Sequence, residues 1–407
     1  MLAAHILRAQ QLLDSSTPIL GRSSKAAKLN QNQILLIGMA DSSHFQKWLK
    51  TLQQEFPNKK ILVFPSDRPR LTLDDQKFQK ESKKLTKVFR LFPQTKINFI
   101  FYFILDNLFG IKWRAYFLAR CIIRNKPGII HFHETQHGAY IFNLISTYEG
   151  IPNNSRNIIS TWGSDLTLYS WVDSHRSKII TALSWTDILT AEKPQEIVDA
   201  QRLGFTGEFR SPIYITLGQS SNDIAAAMKP SLRKRILVKG YQDNPGRALN
   251  ALSALTFLTE ELKEFEVLVY SASEAVRIQC DFLRNKYSIN IKALARISHE
   301  EMQDLFRSSR ISISLAISDG LPGALVEAMG AGAFPIQSEN SCVVDFLIHG
   351  DSGLIVDPWD IEGIKQSIRK ALTDDELVDK AVEINTTVLN VKYSLAEGTR
   401  KLKELYL

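Results

Sequence analysis

Residues 318–335 read Ser318-Asp-Gly-Leu-Pro-Gly-Ala-Leu-Val-Glu327-Ala-Met-Gly-Ala-Gly-Ala-Phe-Pro335. The run follows a β-branched stretch, 311–315 (ISISL), and opens a helical pattern, so its glycines and proline fall at a strand-to-helix turn. Gly320, Pro322 and Gly323 shape a tight turn whose amides would stand at the helix N-terminus, where N–H groups and dipole favour phosphate. Glu327 falls about one turn into that helix, where its carboxylate would accept two vicinal hydroxyls such as those of a ribose. Asp319 would project from the strand end toward the same side. A carboxylate at each end of a glycine-rich phosphate turn suits a sugar–diphosphate–nucleoside better than a simple phosphate.

Outward from this run, strands alternate with helices. Toward the N-terminus of the same series lie 235–239 (RILVK), 266–270 (EVLVY) and 290–293 (NIKA); beyond it lie 333–337 (AFPIQ) and 353–356 (GLIV). Helical patterns at 247–258, 275–286, 300–308 and 323–329 separate them. An earlier series has strands at 33–38 (QILLIG), 60–64 (KILVF), 128–133 (GIIHFH), 157–161 (NIIST) and 188–191 (ILTA), with a helix at 44–56. Each series is a βαβ succession feeding a parallel sheet, with ligands at the carboxyl ends of its strands. The expected architecture is therefore α/β: two Rossmann-like domains facing across a cleft. Residues 205–234, with Pro212, Gly218 and an SSND run, read as the linker. The expected divisions are 1–212, 213–385 and a C-terminal helix within 386–407 that could pack back on the first domain.

Composition narrows the class. The chain has 407 residues, 44% apolar, enough to build two cores and too apolar for intrinsic disorder. Three dispersed cysteines, Cys121, Cys280 and Cys342, form neither a disulfide framework nor a CxxC pair. The net charge of +7 is uneven: residues 1–220 carry 28 Lys+Arg against 17 Asp+Glu, or +11, which leaves −4 for the remainder. Between residues 77 and 125, eleven basic side chains face only Glu81 and Asp106. Such a field suits polyanions, or a solvated helical surface.

The most apolar stretch, 97–111 (INFIFYFILDNLFGI), is fifteen residues long and contains Asp106, too short for a spanning helix of ~20 residues. Its basic flanks suit an interfacial helix on an anionic membrane, and its apolar core suits a buried helix of an α/β domain, the reading we favour for that core. The N-terminus reads as no signal peptide. The expected location is cytoplasmic, peripheral on the inner face of the membrane.

The 318–335 run resembles the Glu-x7-Glu region of retaining, nucleotide-sugar-dependent family 4 (group 1) glycosyltransferases of GT-B fold, written EGFGxxxxEAMAxGxPVI, with Asp319 in place of the first Glu. The resemblance implies that Glu327 binds the donor ribose and that Asp319 faces hydroxyls of the transferred sugar, beside donor-binding Gly320, Leu321, Pro322 and Gly323. Residues 235–255 (RILVKGYQDNPGRALNALSAL) resemble the segment whose Arg and Lys neutralise the donor diphosphate. Tyr241 stands at the usual Arg, so the role falls to Lys239 and Arg247. Residues 295–301 (ARISHEE) resemble the loop that packs on the donor base, with Arg296 as its contact; a helix cap at Ser298 explains the same letters.

In the first half, 128–134 (GIIHFHE) resembles the family's DVVHxHE element. Alternation puts His131 and His133 on one face, and the resemblance implies that His133 reaches the donor sugar as a catalytic residue. Thr161-Trp-Gly-Ser-Asp165 resembles the THGxD element, and the first strand-to-helix loop, with Asp41 and His44, the loop that closes over the substrates. Asp41, His44 and Asp165 are thus the acceptor-side candidates. No HExxH-like spacing marks a metal site, and no Asp-x-Asp occurs; Lys239, Arg247 and the helix dipole would replace a divalent ion.

Together these imply a retaining, metal-independent glycosyltransferase, a hexosyltransferase by type, with no cofactor beyond its nucleotide-diphosphate sugar. Its acceptor would be a saccharide or lipid-linked saccharide in cell-surface polysaccharide synthesis, with an anionic membrane surface as a partner and no nucleic acid. A GT-B nucleotide-sugar epimerase, or a non-catalytic nucleotide-sugar- or glycan-binding module, is the alternative.

Overall fold

The computed structural model describes residues 28–40, 42–67, 87–88, 96–210, 212–218, 228–243, 245–295 and 297–407. The chain divides into two units, one ending at Ile215 and including Lys401–Leu407, the other spanning Thr216–Arg400. The division thus falls after Ile215, three residues beyond the expected 212. Of the C-terminal segment only the last seven residues go with the first unit. Residues 386–400 stay with the second, and the segment is not one helix but parts of two.

The first unit runs β1 (Asn30–Gly38), α1 (Ser43–Glu55), β2 (Lys60–Pro65), β3 (Lys87–Val88), α2 (Lys96–Phe109), α3 (Lys112–Asn125) and β4 (Pro127–His133). It continues with α4 (Tyr140–Asn143), β5 (Arg156–Ser160), α5 (Ser164–Thr167), α6 (Asp173–Ser184), β6 (Ile188–Thr190), α7 (Pro194–Arg202) and β7 (Glu208–Phe209). Its seven strands are all parallel in the order β3-β2-β1-β4-β5-β6-β7. The continuous apolar runs of β1 and β4 are buried on both faces, as parallel strands covered by helices must be. The two-residue edge strands β3 and β7 carry too little pattern to be read from sequence.

The second unit contains β8 (Arg235–Lys239), α8 (Ala248–Leu255), β9 (Glu266–Tyr270), α9 (Glu274–Tyr287), β10 (Ile291–Ala293), α10 (His299–Ser308) and β11 (Ile311–Ser314). Then follow α11 (Gly323–Gly330), β12 (Phe334–Ser338), β13 (Leu354–Val356), α12 (Ile361–Thr373), α13 (Asp375–Lys392) and α14 (Leu395–Tyr406), whose end passes into the first unit. The six strands are parallel in the order β10-β9-β8-β11-β12-β13. Helix starts follow local chemistry. Asp360 and Asp374 accept the amides of Gly363 and Leu377, satisfying first-turn donors that have no intrahelical partner. Ser298 and Glu301 form a reciprocal capping box.

One expectation is overturned. The apolar run over 97–111 is not a buried helix: on α2, Ile100, Phe101, Phe103, Ile104 and Leu108 are exposed, while Tyr102 and Leu105 turn inward onto Trp113, with Phe109 partly buried beside them. Its Asp106 ties α2 to α3, accepting from Trp113 Nε1 (2.8 Å) and from the buried Arg114 guanidinium (2.8 Å).

Candidate functional site

In an open parallel sheet, ligands bind beyond the strands' carboxyl ends where the strand order reverses. In the second unit that point lies between β8 and β11. Lys239 is the last residue of β8, and Asp319 lies in the loop after β11. Lys239 Nζ is 3.5 Å from Asp319 Oδ2 and 5.0 Å from the centroid of the Tyr241 ring. Asp319 Oδ1 accepts the amide of Gly320 (3.0 Å), which fixes the carboxylate at the mouth of the turn. Gly320, Leu321 and Pro322 are buried, and Pro322 precedes the first residue of α11. A Cβ built on Gly323 would meet nothing within 4 Å, so the space over the helix N-terminus is open. Half-buried Glu327 lies on the second turn of α11, and with Asp319 it acts electrostatically on the buried phenol of Tyr270.

Lys239, Asp319, Glu327 and the Gly320–Gly323 turn are therefore brought to one end of the second sheet. Arg247 has a different setting. Its Nη1 donates to the carbonyls of Asp243 (2.8 Å) and Gly246 (2.6 Å), and its guanidinium lies 4.6 Å from the Trp359 ring centroid, so it braces the loop before α8. Arg296 and Asp41 lie outside the described residues.

The reversal in the first unit lies between β1 and β4. There His133 is the last residue of β4, and a Cβ at Gly38 would stand 2.9 Å from its Cβ, so the strand ends approach too closely for any residue but glycine. His131 and His133 do share a face and stack, with ring centroids 4.3 Å apart. His133 lies in an enclosed setting. Its ring is completely buried among Phe45, Trp48, His131 and Trp162, and neither nitrogen has a hydrogen-bond partner among the described residues. Burial pushes its pKa down to about 3.

His131 is held instead by Ser160 Oγ (2.7 Å) and by the hydroxyl of Tyr406, which also accepts from Trp48 Nε1 (3.0 Å). Past His133 the chain enters the left-handed region at Glu134 (φ 63°) and makes a π-helical turn over Glu134–Ala139, an irregularity frequent at functional sites.

Asp165 is held by the loops around it. It is buried, and its carboxylate accepts from Thr135 N (2.5 Å), Thr135 Oγ1 (2.8 Å) and Trp162 N (2.7 Å), tying two loops together. Burial pushes its pKa up, and the three hydrogen bonds oppose that. Behind it Glu196 is fully buried, its carboxyl pushed up to about 7 by desolvation and then by Asp165. His44 is half-buried, 6.4 Å from the Trp162 ring. Tyr406, Glu196 and Tyr270 were missed in sequence. Tyr270 alone carried a signal, as a polar residue closing an apolar strand.

Residues 249–387 match the family model described as Glycosyl transferases group 1. The matched residues lie within the second unit. A 103-residue stretch is 26% identical to 2-deoxystreptamine N-acetyl-D-glucosaminyltransferase of Niallia circulans; it spans a quarter (25%) of each chain. Among solved structures, the chain is similar to HepE of Anabaena in complex with UDP-glucose, with a TM-score of 0.68 at 10% identity over 92% of this chain and 98% of that one. It is similar to the lipopolysaccharide outer core galactosyltransferase WaaB, with a TM-score of 0.63 at 14% identity over 92% of this chain and 100% of that one. At these identities the likeness is one of fold, and the fold is GT-B.

Proposed function

We propose that the chain is a retaining glycosyltransferase that takes a sugar from a nucleotide-diphosphate donor bound on the second unit. The observation that carries this reading is the Lys239–Asp319 pair at the strand-order reversal, beside the Gly320–Gly323 turn and Glu327. Lys239 and the N-terminus of α11 meet the diphosphate charge, so the reaction runs without a divalent ion. Glu327 accepts the ribose hydroxyls, and Asp319 orients the transferred sugar. The acceptor oxygen bonds to the anomeric carbon on the face from which the diphosphate leaves. As the C1–O bond breaks, the acceptor proton passes to an oxygen of the departing phosphate, so the carboxylates position and do not attack.

The acceptor is a saccharide or lipid-linked saccharide of a cell-surface polysaccharide, met at the inner face of the cytoplasmic membrane. The support for this is twofold. WaaB, a lipopolysaccharide enzyme, shares the fold. On α2, Ile100, Phe101, Ile104 and Leu108 recur at three- and four-residue spacing on an exposed face, with Lys112, Arg120 and Arg124 exposed on α3. No helix among the described residues is long and apolar enough to cross a membrane.

The test is transfer of labelled sugar from UDP-, GDP- and ADP-sugars to oligosaccharide and lipid-linked acceptors in EDTA, with the product anomer read by NMR. Transfer with retained configuration, lost in Glu327→Ala, is the expected result. Donor conversion without acceptor would instead make the chain an epimerase.

A further inference from the structure

Tyr270 ends β9 and pairs in register with Lys239, the last residue of β8, so it stands at the carboxyl edge of the sheet beside the Lys239–Asp319 pair. Its backbone carbonyl accepts the amide of Gly240 (2.8 Å), and the chain turns at once through Ser271, whose φ is 51°. Its ring packs edge-on against Phe306, with centroids 6.2 Å apart. The side chain is 9% exposed, and its hydroxyl has no hydrogen-bond partner among the described residues.

A buried hydroxyl left unsatisfied costs free energy that a phenylalanine at the same place would not. The folded core therefore gives no reason for the oxygen; the site beside it does. Burial, then the charges of Glu327, Tyr241 and Asp319, push the phenol well above its ordinary value, so it remains a protonated hydrogen-bond donor at neutral pH.

We propose that Tyr270 is a specificity-determining residue of the donor site, its hydroxyl donating to a ribose oxygen of the bound nucleotide on the side opposite Glu327. The ligand class is a ribonucleoside diphosphate, free or sugar-linked. The inference rests on the donor-site reading above and adds to it a neutral contact that discriminates between ribose and deoxyribose.

The experiment is calorimetric binding of UDP, GDP and ADP, with the 2′-deoxy analogue of whichever binds, to the full chain as wild type, Tyr270→Phe and Glu327→Ala. Thermal melting of each apo protein is recorded alongside. The expected result is a loss of about 5- to 10-fold in affinity for the ribonucleotide in Tyr270→Phe, the worth of one hydrogen bond. The loss with the deoxy analogue should be smaller, and the apo melting temperature should be unchanged or raised. Wild-type affinity in Tyr270→Phe, alongside lost binding in Glu327→Ala, would overturn this inference and leave the donor site standing. Equal losses on both nucleotides would overturn the ribose assignment, and a lowered apo melting temperature would make the hydroxyl structural. If wild type binds none of the three nucleotides, both readings fall.

Discussion

Lys239 Nζ and Asp319 Oδ2 stand 3.5 Å apart across the reversal point of the second sheet, one closing β8 and the other in the loop after β11. Partly exposed pairs of this kind contribute about 0–1 kcal/mol to folding. The pair's value lies in placing a cation and a carboxylate beside an open helix N-terminus, where a diphosphate would meet the one and sugar hydroxyls the other.

Lys239→Ala is therefore expected to weaken binding without weakening the fold. A hydrogen bond to a charged group is worth about 1.5–3 kcal/mol, so nucleotide-diphosphate affinity should fall about 10- to 100-fold by calorimetry. The melting temperature should move by no more than about 4 °C, the upper shift that a change of about 1 kcal/mol produces in a unit of this size. A large melting shift with unchanged affinity would make Lys239 a structural residue.

Tyr406→Phe should do the opposite. The hydroxyl is buried between Trp48 Nε1 and His131, so its removal leaves buried groups unpaired at a cost of about 1–3 kcal/mol. Calorimetric melting should show a lowered transition while nucleotide affinity holds. An unchanged melting profile would show that Lys401–Leu407 contributes little to the first unit.

The stacked His131–His133 pair predicts acid sensitivity. Burial lowers both pKa values in the fold, His133 to about 3, while an unfolded histidine titrates near 6.5. Below about pH 6.5 the unfolded chain therefore binds protons that the native chain refuses. Stability is full above that pH and is lost as the pH falls toward 3. His133→Phe removes no hydrogen bond and should flatten the slope of denaturant stability between pH 6.5 and 4. A slope identical to wild type would assign the acid sensitivity to other groups.

The exposed face of α2 predicts binding to anionic vesicles that weakens with salt. Burying one large apolar side chain is worth about 1.5–3 kcal/mol. Phe101→Ser combined with Leu108→Ser should lower co-sedimentation with phosphatidylglycerol vesicles at least 10-fold and leave soluble-acceptor turnover intact. Equal binding of the double variant would remove α2 from the account.

How far the sequence revealed this arrangement follows from periodicity. β8, β9 and β11 are continuous apolar runs between polar turns, and their spans were read to within a residue. The Asp319–Glu327 turn was legible because glycine, proline and acid types at fixed offsets each have a local reason. The surroundings of His133 were not legible. Strand alternation gives the face it occupies, but its enclosure depends on Phe45 and Trp48 from α1, far away in sequence. The setting of Asp165 is hidden in the same way, since its partners Thr135 and Trp162 come together only in the fold. Tyr406 lies 275 residues from His131, a separation that no local pattern spans. The apolar run on α2 misled because hydrophobicity alone does not distinguish a helix packed in the core from one left facing outward.

The most direct test of the account is calorimetric titration of wild type and Glu327→Ala with UDP, GDP and ADP in the presence of EDTA. The account predicts saturable binding of one nucleoside diphosphate to wild type with no metal, reduced at least 10-fold by the substitution. Binding of none of the three, or binding that Glu327→Ala leaves unchanged, would contradict it.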